Sequence, residues 1–240
     1  MLKKLTFHEI VWYFFIFGIL GMFLENIVCF VTSGKIESRK GFIIGPFCPI
    51  YGIGAIILIV LLDKQKRNWI KVFFYGSFAG ASFEYISSFA MQALYGTKFW
   101  DYPTFVLNIN GRTCLIYAIC WGVLSIALIY LMKPVCDKII KDFESKKLDI
   151  IIFIFMILDT IITYCALNVY MYRANLKYNG MEADSNIISN RAMEIIFPNM
   201  LYIIDDGKEI PVSELFESWK SNKKESKMEQ IGVFKSFFIL

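Results

Sequence analysis

Five long apolar runs, separated by short polar segments, occupy most of the first 171 residues of the chain. The runs cover roughly residues 10–31, 42–62, 70–95, 111–132 and 149–171. Each is close to the length of about 20 residues that a helix needs to cross a lipid bilayer. The pattern predicts an all-α fold, a polytopic transmembrane helix bundle of about five spans with a small C-terminal extramembrane tail.

The composition indicates the same class of protein. The 240 residues are 57% hydrophobic and only 19% charged, whereas soluble domains are about 45–50% apolar and about 25% charged. These values disfavour a disordered chain, a nucleic-acid-binding module and an ordinary soluble enzyme. The lipid bilayer is the predicted partner, and no nucleic acid is expected. His8 is the only histidine, and we predict neither a histidine-rich metal site nor a cofactor.

Lysine and arginine between the spans indicate the orientation, because these residues concentrate on the cytoplasmic side of membrane proteins. They are more numerous on the side that holds the N-terminus. We therefore predict a multi-pass protein of the cell membrane with a cytoplasmic N-terminus and an exterior C-terminus. Residues 1–172 would form the transmembrane domain. Residues 173–240 would form the tail, with a β-hairpin around 205–207 and a short helix from Ser213 to Trp219.

An internal repeat links two parts of the transmembrane domain. The nine residues from Gly45 share five identities with the nine residues from Gly111, in the pattern G-x-x-C-x-I-Y-x-I. We predict a duplication, with residues 10–62 as repeat one, 70–132 as repeat two and 149–171 as a separate fifth span. Each repeat would cross the membrane twice, so both copies would have the same orientation, as in parallel transporter repeats. The alternative is chance similarity between apolar runs.

Three acidic residues, Glu25, Glu84 and Asp159, lie inside the predicted spans. A charged group costs free energy there, so it normally faces the bundle interior or water. Glycines precede both glutamates on one helix face, where another helix can approach closely; these are Gly18 and Gly21 before Glu25, and Gly76 and Gly80 before Glu84. A structural hydrogen bond or ion pair, a substrate, ion or proton site, and a position at the lipid edge all remain open.

Two predicted exterior loops carry further candidates. Arg39 and Arg112 each precede the second span of a repeat, and a guanidinium group can hold a carboxylate or phosphate with two parallel hydrogen bonds. One prediction is therefore that the arginines bind a lipid headgroup or an anionic solute. The alternative is that they pair with Glu25, Glu84 or Asp101. Aromatic residues in these loops are also typical of membrane interfaces. The candidate substrate-binding residues are Glu25, Arg39, Glu84, Trp100, Asp101, Tyr102, Asn110 and Arg112.

Two prolines, Pro46 and Pro49, flank Cys48 at the start of the second span. Proline removes a backbone donor and interrupts helices. The sequence is consistent with a broken or re-entrant entry to this span and equally with a simple kink. No histidine is available to activate Cys48 or Cys114 as a nucleophile, and we predict no catalytic residue.

Several motifs together resemble the bacterial CmpB-like, "type IV" family of ABC-transporter permeases over roughly residues 8–175. They are Glu25-Asn26, Arg39 to Phe42, Gly45 to Gly52, Phe83-Glu84-Tyr85, Trp100-Asp101-Tyr102, and Asn108 to Arg112 continuing to Trp121-Gly122. The resemblance implies a bacterial inner-membrane protein of five or six spans. It also implies a protein of the permease type whose substrate is not established. The resemblance does not cover the tail.

The leading prediction is a permease-like subunit of an ABC transporter with a central site near the outer leaflet. The chain has no G-x-x-x-x-G-K-[ST] phosphate-binding loop, so a separate ATP-binding subunit would have to hydrolyse ATP. Basic segments at 63–71 and 133–147 either dock such a subunit or only fix the topology. An obvious E-A-A-type coupling loop, as importer permeases carry, is missing.

Two other function classes remain open at this stage. One is a membrane-embedded enzyme or binder that acts on lipid headgroups or envelope precursors, and the other is a membrane scaffold or sensor that uses the tail. Transport or membrane binding is favoured over catalysis. A homodimer is also consistent with a chain of this size, although no feature of the sequence sets an interface.

Overall fold

The computed structural model describes residues 4–181, 189–204 and 208–216 of the chain. Its helices are α1 (Phe7–Ser33), α2 (Pro49–Leu62), α3 (Trp69–Tyr95), α4 (Leu115–Ala127), α5 (Lys133–Asp142), α6 (Lys146–Tyr178) and α7 (Asn190–Ile196). Its strands are β1 (Thr97–Lys98), β2 (Leu201–Ile203) and β3 (Glu209–Pro211). The protein is mostly helical, as the sequence predicts, with a small sheet in addition.

Three helices in the described part of the chain are long and apolar enough to cross a membrane. They are Phe7–Ser33, the continuous helix Leu115–Asp142 that joins α4 to α5, and Lys146–Tyr178. These helices coincide with the predicted first, fourth and fifth spans. α3 has 27 residues but is not one of the three, so the count of five spans and the repeat stay predictions.

Helix α2 begins later than predicted, at Pro49 instead of residue 42, and has 14 residues. At 1.5 Å per residue it is about 21 Å long, which is shorter than the hydrocarbon core of about 30 Å. Proline is well tolerated at the first helical position, where its missing N–H has no helical partner. Residues 41–48 before it are not helical. The structure therefore has a broken entry to α2, not a simple kink.

Side chains of α6 hold this non-helical segment by its backbone. Asp159 Oδ1 accepts the N–H of Ile44 at 3.1 Å, and Thr163 Oγ1 accepts the N–H of Ile43 at 3.0 Å. The Cys48 N–H donates to the Gly18 carbonyl at 2.9 Å, which places the start of α2 against the middle of α1. Irregular backbone at membrane depth needs such partners. The buried Asp159 is therefore an anchor for this segment.

Glycines bring the helices of each antiparallel pair, α1–α2 and α3–α4, into close contact. A Cβ atom at Gly21 would lie 2.2 Å from Cβ of Tyr51, and one at Gly80 would lie 2.4 Å from Cγ of Trp121. Both distances are too short for a side chain, so only glycine permits this approach. The prediction that the glycine faces are helix-packing surfaces is confirmed.

A π-helical turn, Leu128–Met132, interrupts the continuous helix between α4 and α5. Pro134 follows it in the first turn of α5. Because proline has no N–H, the carbonyl four residues earlier loses its donor, and the backbone widens locally. The widened turn is placed against the segment after α2, where the Tyr130 hydroxyl donates to the Lys66 carbonyl at 2.6 Å.

Two hydrophobic cores share helix α6. Its first half packs into the main core with α1, α2 and the α4–α5 helix. Its last part packs with the tail in a second core formed by Ala166, Leu167, Tyr170, Met171, Ala174, Met193, Phe197, Met200, Tyr202, Val212 and Phe216. The helix thus continues to Tyr178, beyond the predicted domain boundary at 172.

The tail joins the bundle through a three-stranded antiparallel sheet in the order β1-β2-β3. β1 belongs to the loop after α3, and its Thr97 pairs with Tyr202 of β2. β2 and β3 pair in the segment for which the sequence predicts a hairpin. The predicted turn at 205–207 and the predicted helix end at Trp219 lie outside the described residues. We call this end of the bundle the tail end, and the opposite end, where α1 begins, the N-terminal end.

Candidate functional site

Glu25 of α1 points to the neighbouring helix of its own pair. Its Oε1 accepts a hydrogen bond from the Tyr51 hydroxyl of α2 at 2.5 Å. The side chain is half-buried. Tyr51 reaches it because Gly21, one turn before Glu25, lets the tyrosine lie directly against α1. The glycine and the glutamate of this helix face therefore work together to place one carboxylate beside one phenol.

Glu84 of α3 is buried, with 5% of its surface exposed. Its two carboxylate oxygens accept hydrogen bonds from the Thr113 hydroxyl at 2.7 Å and from the Tyr102 hydroxyl at 3.2 Å. The Tyr102 ring stacks on Tyr117 of α4 with 4.3 Å between ring centroids. We call Glu25, Tyr51, Glu84, Tyr102, Thr113 and Tyr117 the carboxylate–tyrosine cluster.

The two carboxylates belong to helix pairs that contact each other through α2 and α3. Trp121 connects the two helix pairs, because its ring lies against Gly80 of α3 and stacks on Tyr51 of α2 at 6.1 Å between centroids. Among the described residues, no lysine or arginine lies within 4 Å of either glutamate. The cluster is therefore acidic, with neutral hydroxyl donors in place of cations.

Burial raises the pKa of the Tyr102 phenol well above its usual value, and the negative charge of Glu84 adds to this effect. Both causes disfavour a phenolate, since it would lie in a poorly hydrated place beside a carboxylate. Tyr102 therefore keeps its proton at neutral pH and acts as a hydrogen-bond donor to Glu84.

Arg112 is buried on the face of α3, and none of the described acidic residues lies within ion-pair distance of it. Its guanidinium donates to Ser88 Oγ at 2.9 Å and to the side-chain carbonyl of Gln92. It also lies 5.6 Å from the ring centroid of Phe89, within range of a cation–π contact. The alternative in which Arg112 pairs with a candidate acid is wrong.

Arg39 also has a different partner from those considered. Its guanidinium donates to the Cys29 thiol at 3.1 Å and lies 3.7 Å from Glu37. Pairing of this arginine with Glu25, Glu84 or Asp101 is wrong as well. The two arginines are thus separated from the two glutamates, and the candidate residues divide into an acidic group and a second group around Arg39.

The second group lines a cavity of about 300 Å³ at the tail end. Three chain segments form its wall, namely the loop after α1, the loop after α3 and the tail. The lining residues are Arg39, Phe99, Trp100, Asp101, Pro198, Asn199, Met200, Leu201 and Pro211. We call it the tail-end cavity. It brings together three of the predicted candidates, Arg39, Trp100 and Asp101.

Two of these cavity residues, together with Asn110, also support the loop after α3. Trp100 Nε1 donates to the Arg112 carbonyl at 2.9 Å, which fixes the tryptophan beside the cavity. Asn110 has a positive φ of 52°, is exposed and donates to the Tyr85 hydroxyl at 3.1 Å. Asp101 lies against Gly111, where a side chain would collide with it. Asn110 therefore shapes the loop and lies outside both groups.

Tyr51, Thr113 and Tyr117 belong to the cluster but are missing from the sequence-based candidates. Tyr51 and Tyr117 occupy the same position of the repeated pattern, and this signal would have identified them. No repeated pattern or other sequence signal marks the tail residues of the cavity, 198–201 and 211. They enter the site only because β2 pairs with β1.

A second polar group occupies the N-terminal end. Asp149 accepts hydrogen bonds from Trp12 Nε1 at 2.9 Å and from His8 at 2.7 Å. The other His8 ring nitrogen lies 2.9 Å from the Ile140 carbonyl, so both nitrogens can donate only in the protonated ring. The buried Lys133 binds Asp137 at 2.5 Å and Asp63 at 3.5 Å. We call these residues the N-terminal-end network.

Within the described residues, no group of three or more histidine, cysteine, aspartate or glutamate side chains has the arrangement of a metal site. The chemistry available in the cluster is therefore that of two carboxylates with hydroxyl donors. Such groups can bind a cation or an ammonium group, or take up and release protons.

Comparison with protein families connects this geometry to a known group. Residues 12–164 match a family described as "Putative ABC-transporter type IV". Comparisons with curated proteins and with solved structures give no match. The matched segment contains both glutamates, both arginines and the Trp100-Asp101-Tyr102 motif, and it covers more than half of the chain. The resemblance inferred from these motifs is confirmed, and the chain belongs to this family of ABC-transporter proteins.

Proposed function

We propose that this membrane protein is a permease-like subunit whose substrate path runs between the helix pairs α1–α2 and α3–α4. In this proposal the chain crosses the membrane five times, with its N-terminal end in the cytoplasm and its tail end outside. Support for a common outer side comes from β1, which belongs to the loop after α3 and pairs with the tail. A separate ATP-binding subunit would supply the energy.

The observation that carries the proposal is the pair of carboxylates without a cation. Glu84 is buried and Glu25 is half-buried, each belongs to a different helix pair, and no base pairs with either among the described residues. Structural acids inside a bundle are normally paired with bases, because an isolated buried charge is costly. Here hydroxyl groups replace the bases. A transported cation, an ammonium group or a proton would complete the site.

The broken entry to α2 supports the same location. Transporters often bind substrate where a helix is interrupted near the middle of the membrane, between structural repeats. Residues 41–48 interrupt the second predicted span, and Cys48 at their end contacts Gly18 of α1. In the proposed mechanism, the two helix pairs rock against each other, with Tyr51 and Trp121 at their contact, and expose the carboxylates alternately to the two sides.

The test uses the tagged protein, purified from its own host in mild detergent together with its co-purifying proteins. We expect a stoichiometric ATPase. The complex is reconstituted into vesicles and supplied with ATP, and mass spectrometry of a host extract identifies the solute that accumulates or is expelled. A Glu25→Gln, Glu84→Gln double variant should reduce this flux by about tenfold or more, because removal of the charges removes the partner of a cation.

The control variant is Glu214→Gln, which removes an exposed carboxylate of the tail. It should leave the flux unchanged. Full flux in the double variant, or the absence of any ATPase from the purified material, would overturn the proposal.

A membrane-embedded enzyme is the second candidate, favoured by the contact of Glu84 with the Tyr102 and Thr113 hydroxyls. A carboxylate beside a protonated phenol can serve as a general base and acid. This candidate expects conversion of a lipid or envelope precursor without ATP, and a Glu84→Gln variant without turnover. Homodimer formation stays a prediction in either case.

A further inference from the structure

The tail-end cavity is built from segments that are far apart in the chain and firmly joined beside it. Thr97 is fully buried, and its hydroxyl donates to the Leu201 carbonyl at 2.5 Å. The Val212 N–H donates to the Met200 carbonyl at 2.9 Å. Met200 is itself 1% exposed. The tail wall of the cavity is therefore fixed to the loop after α3 by strand pairing and by the second core.

Among the described residues that line the cavity, Arg39 is the only base and Asp101 the only acid. The Arg39 guanidinium donates to the Cys29 thiol at 3.1 Å and forms a longer ion pair with the partly exposed Glu37 at 3.7 Å, and its Nε–H has no hydrogen-bond partner among the described residues. It can therefore still bind an acidic group of a ligand. Guanidinium donors suit carboxylate and phosphate groups equally.

Asp101 can still accept hydrogen bonds from a ligand, because its own basic neighbour is shared with a second acid. Its neighbour Lys98 lies 3.5 Å away but binds Glu209 more closely, at 2.5 Å. One lysine is thus shared by two carboxylates, and the three groups together keep a net negative charge. A simple anion held by Arg39 would be repelled by Asp101, whereas an ammonium group would be attracted.

The size and the remaining surface of the cavity limit the ligand further. A volume of about 300 Å³ is at the lower end for small-molecule sites, which span about 300–1,000 Å³. The lining also contains the aromatic residues Phe99 and Trp100, a residue type that can attract an ammonium group, and the apolar residues Leu201, Pro198 and Pro211. The ligand is therefore small, carries both charges and has an apolar part.

We infer that the tail-end cavity binds a small zwitterion, whose acidic group pairs with Arg39 and whose ammonium group pairs with Asp101. Two sources have this chemistry, a free amino-acid-like solute and the ethanolamine headgroup of a membrane lipid. The tail completes the site, because without residues 198–201 and 211 the cavity has no third wall. This site is separate from the carboxylate–tyrosine cluster and does not depend on the proposed transport function.

Calorimetric titration of the purified full-length protein in detergent tests the inference. The probes are free leucine, which represents the solute, and glycerophosphoethanolamine, which represents the lipid headgroup without its acyl chains. Two further probes each lack one charge: 4-methylpentanoate has no ammonium group and 3-methylbutylamine has no carboxylate. We expect one of the two zwitterions to bind, and which one binds identifies the source.

Charge-removing variants test the assignment of the two groups. Arg39→Gln and Asp101→Asn should each weaken binding of the zwitterion by about tenfold or more. Asn199→Trp should block the cavity from the tail side while both charges remain. The controls are Lys35→Gln and Asp142→Asn, which remove exposed charges elsewhere, and the Glu25→Gln, Glu84→Gln double variant. All three controls should bind like the wild type.

The inference is overturned if neither zwitterion binds, if Arg39→Gln and Asp101→Asn both bind with wild-type affinity, or if a probe with one charge binds as tightly as the zwitterion. Because Asn199→Trp keeps both charges, wild-type binding by this variant would also exclude the cavity as the site. Failure here leaves the flux experiment on Glu25 and Glu84 unaffected.

Discussion

At the N-terminal end of the bundle, each acid of the network lies within 4 Å of Lys133 or His8. The two glutamates of the tail end have, among the described residues, only hydroxyl donors. Both groups are at least partly buried. In the first group Lys133 and His8 offset most of the charge of three carboxylates, and in the second group no base offsets the two glutamates among the described residues. Because a buried carboxylate without a base costs stability, the first group fits a role in holding helices together, and the second is the group to which the proposed function assigns a ligand.

The way in which the helices contact each other also differs between the two groups. The network at the N-terminal end connects α1, α5 and α6 through long side chains such as Trp12 and Lys133. At the tail end, the helices touch through glycine, and this brings Tyr51 and Trp121 against the facing backbones. Long polar contacts tolerate small shifts, while glycine contacts fix the separation of the helices. A site that must hold two carboxylates in place benefits from the second arrangement.

The largest effect on stability is expected from Lys133→Met. The buried lysine binds Asp63 and Asp137, and its removal would leave carboxylates without their base. We expect a loss of about 3 kcal/mol or more in the free energy of unfolding, measured by denaturant titration in detergent. Lys138→Met, which changes an exposed lysine of the same helix, should have little effect. Equal losses in both variants would mean that the network does not stabilise the bundle.

A smaller effect is expected from Gly21→Ala at the tail end. The new methyl group would lie 2.2 Å from Cβ of Tyr51, so α1 and α2 would have to separate. Overpacking of this kind costs about 2 kcal/mol, and it should also displace the Tyr51 hydroxyl from Glu25. Thermal unfolding in detergent measures the loss.

Gly18→Ala is the matched control on the same helix, because its nearest contact would be 3.7 Å. Alanine favours a helix over glycine by about 1 kcal/mol. Gly18→Ala should therefore be neutral or stabilising. If Gly21→Ala is equally neutral, the close contact at the tail end does not exist.

The smallest effect concerns pH and Tyr102. Burial and the nearby Glu84 raise the pKa of this phenol above its ordinary value, so the native protein keeps the proton at a pH where the unfolded chain loses it. Stability from this group is complete below about pH 10 and declines as the pH rises. Between pH 10 and 11 the decline should be about 1 kcal/mol.

Tyr102→Phe should remove this part of the decline in unfolding free energy. The measurement is the difference between wild type and variant at each pH, which cancels the titration of other groups. Tyr172→Phe, at an exposed tyrosine, is the control. A wild-type pH slope in Tyr102→Phe would show that the phenol is not buried beside the carboxylate.

Particular residues show how far the sequence could be interpreted. The spacing of Gly18, Gly21 and Glu25 was sufficient to predict a close helix contact next to an acid, because helical periodicity alone sets which residues share a face. The family could be predicted from short motifs. The partners of the two arginines could not be predicted from the sequence. A guanidinium group can reach many acids, and sequence proximity does not decide among them.

The start of α2 shows a second limit. Hydropathy alone continues the second span back to residue 42, because Phe42, Ile43 and Ile44 are apolar. The structure begins the helix at Pro49 because Asp159 and Thr163, more than a hundred residues away, satisfy the backbone of the preceding segment. Local preference was overruled by distant hydrogen bonds.

By itself, the sequence determined that this chain is a mostly helical membrane protein, that glycine faces bring its helices together and that it belongs to its family. These features depend on residue type and on spacing along one helix. Only the tertiary structure decided which acids have bases, that Arg39 and Arg112 lie apart from the glutamates, and that the tail closes a cavity with the loops. Such features depend on distances between segments far apart in the chain, which the order of residues does not encode locally.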